Sequence, residues 1–164
     1  MATPILTAER LREVLRYDPA TGVFTSLAWR GQRLHIGDVA GTVNKKGYRY
    51  ISIDKRKFLA HRLAWFYVTG VWPQEEIDHK NGMKDENWFE NLRPATHLIN
   101  QQNQRRAHSV NKLGVLGVIF HRGCFRAHIK VDGKTKYVGA FATRELAHEA
   151  YVDAKRKLHE GCTI

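Results

Sequence analysis

The sequence predicts a mixed α+β fold assembled from small parts. Three observations carry the prediction. Segments with helical spacing of apolar residues lie near both ends, short runs with strict two-residue alternation sit between turns rich in Gly and Asp, and a polar stretch from Gln74 onward interrupts both patterns. The expected layout is a small α/β region over residues 1–70, a β-β-α core over 71–106 that completes a first domain of residues 1–106, a linker at 107–113, and a second domain at 114–164 in which a three-stranded antiparallel sheet packs on one helix.

The elements follow in order. Thr7 is a natural N-cap, Glu9 suits the first helical turn, and Leu11, Val14 and Leu15 recur at helical spacing. "YDPATG" ends that helix in a turn, and "VFTSLAW" reads as a strand. In "YRYISI" the alternation sends Tyr48, Tyr50 and Ser52 to one face and Arg49, Ile51 and Ile53 to the other. "AHRLAWFYVTG" reads as a helix stopped by Gly70. A short strand runs into Asp78 and His79, a polar loop "KNGMKDENWFE" follows, and "NLRPAT" leads to a helix capped by Thr96 and covering "HLINQQNQRRA". Beyond the basic linker, "VLGVIFHR", "CFRAHIKV" and "KYVGAF" are three strands, with "DGK" as the hairpin turn between the second and third. The last helix starts at Thr143 and puts Leu146, Ala147, Ala150, Tyr151 and Ala154 on one face.

Composition excludes several classes. No apolar run approaches the roughly 18 residues a membrane span needs. The N-terminus lacks the basic-then-apolar order of a secretory signal, so the expected location is cytoplasmic. Cys124 and Cys162 form no CxxC pair and no disulfide framework, so they read as free thiols and no structural zinc is expected. Lys plus Arg number 27 against 16 Asp plus Glu, a net charge of +11. The excess is shared, with 17 basic against 11 acidic residues in 1–106 and 10 against 5 in 107–164. That balance favours polyanions such as nucleic acid, because each neutralised phosphate releases condensed counterions.

The chemistry concentrates at "EIDHKNG", residues 76–82. Phosphodiester hydrolysis needs a hard cation on oxygen ligands and a group that deprotonates water. An imidazole, with its ordinary pKa of about 6.5, suits the second task near neutral pH. Asp78 at a strand end can hold the cation while His79 faces the water. Asn91 opens the next strand, and Asn100 lies about one turn into the following helix, giving the spacing D-H-x(11)-N-x(8)-N. His97 and Asn103 are rival ligands on the same helix. Each residue also has a plain structural reading: His79 as a hydrogen-bonded histidine, Asp78 as a cap of the Asn81-Gly82 turn, Asn91 as a turn residue, Asn100 as a solvated amide. His61 and Arg62 could touch nucleic acid or the floor of this site, or His61 could be a satisfied structural histidine.

The set Asp78, His79, Asn91 and Asn100, together with "AHRLAW", "IDHKNG" and "NLR" in that order, resembles the HNH endonuclease motif, the ββα-metal site, and in particular its phage and intron-encoded branch. The resemblance implies His79 as general base, Asp78 and Asn100 as metal ligands, and Asn91 as the residue that braces the loop by hydrogen bonds. Position 78 is Asp and position 100 is Asn where the motif's name has His. Both substitutes are oxygen ligands and favour magnesium, with manganese able to replace it.

From Gly114 onward, "GV", "FRAHIKVDGK", "YVGAF" and the helix pattern T-x-E-x-A-x-x-A-Y resemble the DNA-binding domain of plant ethylene-response factors, the APETALA type. The resemblance implies that the sheet lies in the DNA major groove. Alternation alone puts Arg126, His128 and Lys130 on one face, opposite Phe125, Ala127, Ile129 and Val131. His121, Arg122, Lys134 and Lys136 are expected to extend the basic side. Phe120 and Phe125 stand where that family often has Trp.

These readings combine into a magnesium-dependent endonuclease acting on double-stranded DNA, with no membrane partner and, by resemblance, a phage or prophage origin. A non-catalytic DNA-binding regulator with a degenerate HNH part is the alternative. An RNA-directed protein is a second alternative, disfavoured by the absence of an aromatic platform of the RNA-binding kind.

Overall fold

The computed structural model describes residues 6–28, 35–105, 107 and 111–163. Trp29 at the end of the expected strand, Arg106 in the expected helix and the linker positions 108–110 lie outside the described residues. The chain divides into two compact units, Met1–Ala95 and Thr96–Ile164. The helix opened by Thr96, expected to complete the first domain, thus groups with the C-terminal sheet, and the division falls ahead of the expected linker.

In the first unit, helix α1 spans Ala8–Val14, and the Thr7 hydroxyl accepts from the Arg10 N–H at 3.2 Å. Leu15, expected in that helix, instead begins strand β1, Leu15–Tyr17, where it remains fully buried. Strand β2, Phe24–Ser26, pairs antiparallel with β1 through a turn shaped by Asp18. One Asp18 oxygen accepts from Ala20 N–H and the other from the Thr21 hydroxyl. Strands β3 (Thr42–Val43), β4 (Arg49–Ile53) and β5 (Arg56–Leu59) form an antiparallel sheet in that order. Ile51 and Ile53 are buried on β4, as the alternation requires.

Helix α2, Ala60–Thr69, follows β5 directly, ends at Gly70, and turns Ala60, His61, Leu63, Ala64 and Phe66 inward. The apolar four of these pack with Leu11, Leu15, Phe24 and Ile51 in one core that also holds Ile77 and Leu92. The last two belong to strands β6 (Glu76–His79) and β7 (Leu92–Ala95), an antiparallel hairpin whose long loop ends in a 3-10 turn at Phe89–Asn91.

The second unit opens with helix α3, His97–Gln102, whose Thr96 hydroxyl accepts from Ile99 N–H. It is shorter than the sequence predicts. After Gln102 the polar groups pair with the C-terminal segment: Arg105 donates to the Thr163 carbonyl and hydroxyl, and the Thr163 hydroxyl donates to Asn103. Strands β8 (Val118–His121), β9 (Cys124–Val131) and β10 (Lys134–Phe141) make the expected antiparallel sheet with β9 central. The hairpin turns Arg122-Gly123 and Asp132-Gly133 take positive φ at both positions, the geometry that matches strand twist.

Helix α4, Arg144–Leu158, covers the face carrying Ala127, Ile129 and Val131. Its buried stripe is Ala147, Tyr151 and Lys155, while Leu146, expected inward, is 49% exposed. The stripe follows i, i+4 spacing along the helix, so Leu146 turns past the edge of the contact. Lys155 completes the buried stripe, and its ammonium donates to the Gln104 carbonyl. Neither Cys124 nor Cys162 is in a disulfide. Among the described residues no helix is long and apolar enough to cross a membrane.

Two tests of packing follow. Gly117 has φ +70, and a Cβ built there would lie 2.0 Å from the Tyr151 ring. Gly123 has φ +80 with open space around it. Gly117→Ala is expected to cost roughly 2–4 kcal/mol in urea unfolding, and Gly123→Ala only about 1–2, because the second bears the left-handed penalty without the clash.

His61 supplies the other test. It is 5% exposed and its Nδ1 has no hydrogen-bond partner. Burial first, then His79 and Arg62, push its pKa down to about 3. The unfolded imidazole takes a proton below about 6.5, so between there and about 3 the unfolded state binds more protons and stability falls as pH falls. This one group should contribute a slope of about 1.4 kcal/mol per pH unit, lost in His61→Leu, as read from urea midpoints across pH 4–6.

Candidate functional site

The loop between His79 and Leu92 is mostly polar: Phe89 packs on Trp65, with ring centroids 5.4 Å apart, and amide hydrogen bonds brace the rest. Asn91, 3% exposed, accepts from Asn81 N–H through Oδ1 at 3.0 Å and donates from Nδ2 to the Glu86 carbonyl at 2.7 Å. Its backbone carbonyl accepts from Lys80 N–H at 2.8 Å. Asn81 Nδ2 donates to the Glu86 carboxylate, and Arg49 of β4 grips Asp85 with two hydrogen bonds of 2.8 and 2.9 Å. The loop is thereby stitched across itself and to the sheet beneath.

On this frame Asp78 and His79 are both buried, at 7% and 4% exposure. The ladder pairs Asp78 with Arg93 and His79 with Leu92, so the two side chains leave opposite faces of the hairpin. Asp78 Oδ2 accepts from Arg93 Nε and Nη2 at 3.1 and 2.9 Å. His79 turns toward the core of the unit. Its ring stands edge-on to His61 with centroids 5.0 Å apart, and Tyr48 lies 5.5 Å from His61 and 6.3 Å from His79. Lys84 sits 4.7 Å over the Tyr48 ring. His61 thus forms the floor beneath His79, while Arg62 donates to the Pro73 and Glu75 carbonyls.

Burial pushes the His79 pKa down, against the opposing pull of its contact with Asn87 and of the Asp78 carboxylate. Neutral His61 beside it adds no positive charge near neutral pH. The arrangement keeps a neutral imidazole in sequence next to a carboxylate.

Asn87 was not singled out by the sequence. It is 1% exposed, and its Oδ1 lies 3.2 Å from His79 Nε2. One more Asn in a polar loop carries no signal in spacing, so only the folded loop reveals it.

Asn100 lies on α3 in the second unit, half-buried, with its N–H donating to the Thr96 carbonyl. Of its rivals, His97 has Nε2 2.8 Å from Gln101 Nε2, and Asn103, 4% exposed, uses its Oδ1 to accept from Thr163. Among the described residues there is no cluster of three or more His, Cys, Asp or Glu suited to hold a metal ion. The donor chemistry of Asp78 and Asn100, a carboxylate and an amide carbonyl, is of the kind that hard divalent cations take.

The sheet of the second unit brings together part of the expected basic face. Arg126, His128 and Lys130 alternate with buried Ala127, Ile129 and Val131. Lys130 faces Thr135 across the ladder and His128 faces Tyr137. Lys134 and Lys136 register with Val131 and Ile129, so they belong to the other side of the sheet, although both are exposed. The two-residue turn sets this parity and corrects the expectation that they extend the face of Arg126. Arg122 sits in the β8–β9 turn. Tyr137, 60% exposed with its ring 5.5 Å from His128, joins the polar face in their place.

Residues 58–102 match the family model described as HNH endonuclease. No curated protein matches the chain. A similar solved structure is described as "DNA binding and cleavage by the HNH homing endonuclease I-HmuI"; the similarity covers 90% of this chain and 88% of that chain, at 22% identity and a TM-score of 0.43. The family match takes in Asp78, His79, Asn91 and Asn100 and leaves out the sheet of residues 118–141.

Proposed function

We propose that the protein is a divalent-metal-dependent DNA endonuclease of the HNH type, delivered to DNA by its C-terminal sheet. The observation that carries this reading is His79: a buried imidazole with a lowered pKa, adjacent to an aspartate, on a hairpin whose loop is braced by Asn91, within the segment that matches the HNH endonuclease model. His79 acts as general base. It takes a proton from water as the water oxygen bonds to phosphorus and the bond to the 3′ oxygen breaks. A 5′ phosphate and a 3′ hydroxyl result, as the family resemblance implies.

Asp78 and Asn100 would hold magnesium, or manganese in its place, through oxygen donors, and Arg93 orients the Asp78 carboxylate. When bound, the cation supplies positive charge that stabilises charge building on the phosphate oxygens. Asn100 is preferred to Asn103 on spacing, and the Asn103 carbonyl accepts from the Thr163 hydroxyl. The face of Arg126, His128, Lys130 and Tyr137 offers cations and an aromatic ring to double-stranded DNA, in keeping with the resemblance to the ethylene-response-factor domain; Arg122, from the adjoining turn, adds a cation. Phage or prophage origin follows from the same family resemblances.

Incubated with supercoiled plasmid and magnesium, the protein is expected to yield nicked or linear DNA. EDTA should abolish this, and His79→Ala should slow it by about 10²-fold or more. Intact plasmid under every divalent ion tried would favour the non-catalytic regulator instead. For the sheet, Arg126→Ala with Lys130→Ala is expected to weaken DNA binding and to lower the slope of log affinity against log salt by about two. An unchanged slope removes those two residues from the interface.

A further inference from the structure

We infer that Asn87 is a positioning residue for His79: its amide holds the imidazole as the Nε2–H tautomer and makes Nδ1 the nitrogen that accepts the proton. The inference rests on the reading of His79 as general base and adds a residue that neither the motif nor its spacing assigns.

The argument is one of donors and acceptors. Asn87 Nδ2 donates to the Asp85 carbonyl at 2.8 Å. That carbonyl can only accept, so the amide must present its NH2 end there and its oxygen end to the other side. On the other side, Oδ1 lies 3.2 Å from His79 Nε2. An amide oxygen has no proton to give, so Nε2 carries the hydrogen and donates it. A neutral imidazole has a single N–H, which leaves the lone pair on Nδ1. Turning the amide over would set two donors against each other at His79 if the tautomer stayed, and two acceptors against each other at Asp85.

Asn87 has little freedom to do so. Its backbone carbonyl accepts from the Tyr17 hydroxyl at 2.7 Å. Asp85, which orients the amide, is itself clamped by Arg49. The β1–β2 turn closes the other side: Phe89 N–H donates to the Pro19 carbonyl, and a Cβ on Gly22 would come within 2.3 Å of the Asn87 carbonyl carbon. The same contact serves the reaction after the proton moves. An imidazolium has two N–H groups, and Asn87 Oδ1 still accepts from Nε2, so the ring need not turn.

Ring 15N and 1H spectra of the 164-residue chain, taken where His79 is neutral, test this directly. The expected wild-type result is a protonated Nε2, an unprotonated Nδ1 and a downfield, hydrogen-bonded Nε2–H proton. An Nδ1–H tautomer overturns the inference, whether or not any variant folds. In Asn87→Leu, close in size but with no acceptor, the downfield proton should vanish and kcat should fall by roughly 10- to 100-fold with KM for DNA little changed. Asn87→Asp, which keeps an acceptor at the same reach but loses the donor to the Asp85 carbonyl, should retain the downfield proton signal. Persistence of the signal in Asn87→Leu, or undiminished kcat there, also overturns it. The spectra read the hydrogen bond independently of cleavage. A wild-type protein with the expected tautomer and no cleavage would therefore sink the nuclease reading and leave the tautomer assignment standing.

Discussion

Asn91 closes the loop that carries the candidate site. In the stretch 80–90 the large apolar side chains are Met83, Trp88 and Phe89, and a buried amide there would cost free energy if left unpaired. Asn91 meets that constraint from one position. Its Oδ1 takes Asn81 N–H, its Nδ2 gives to the Glu86 carbonyl, and its backbone carbonyl takes Lys80 N–H. With those three bonds made, the loop has one conformation rather than many. His79 then stands at a defined distance from Asn87, and Asp78 at a defined distance from Arg93.

The pairing of His79 with His61 follows from burial rather than from attraction. Two charged imidazoles 5.0 Å apart would repel in a poorly solvated place. Burial is the largest influence on each, and it keeps both neutral near neutral pH. His61 is thereby both a core residue of α2 and the floor of the candidate site. The sequence left open whether His61 is a satisfied structural histidine; it is buried, but its Nδ1 has no hydrogen-bond partner.

In the second unit the ordering constraint is parity. Two-residue turns at 122–123 and 132–133 fix which residues oppose one another, and a bulge near Val138 resets the phase of β10 before Gly139. The result is a sheet with Ala127, Ile129 and Val131 against α4 and Arg126, His128 and Lys130 on the far side. Charge by itself placed Lys134 and Lys136 with the second group; counting across the turn places them with the first. Tyr137 shows the converse, a residue without charge that the register delivers to the polar face.

Local chemistry settled much of this protein in the sequence alone. The caps at Thr7, Thr96 and Thr143, the alternation in β4 and β9, the stop at Gly70 and the hairpin turn at Asp132-Gly133 depend only on neighbours a few residues away, and each stands where local rules put it. Tertiary packing decided the rest. Leu15 left its helix to pair with Ser26, Leu146 turned out to solvent while Lys155 turned in, and α3 stopped at Gln102 where the C-terminal segment claimed its polar groups. Asn87 belongs to this second kind. Its role comes from Tyr17, Asp85 and His79 arriving around one amide, and partners brought together from as far as 70 positions away leave no periodic trace in the chain.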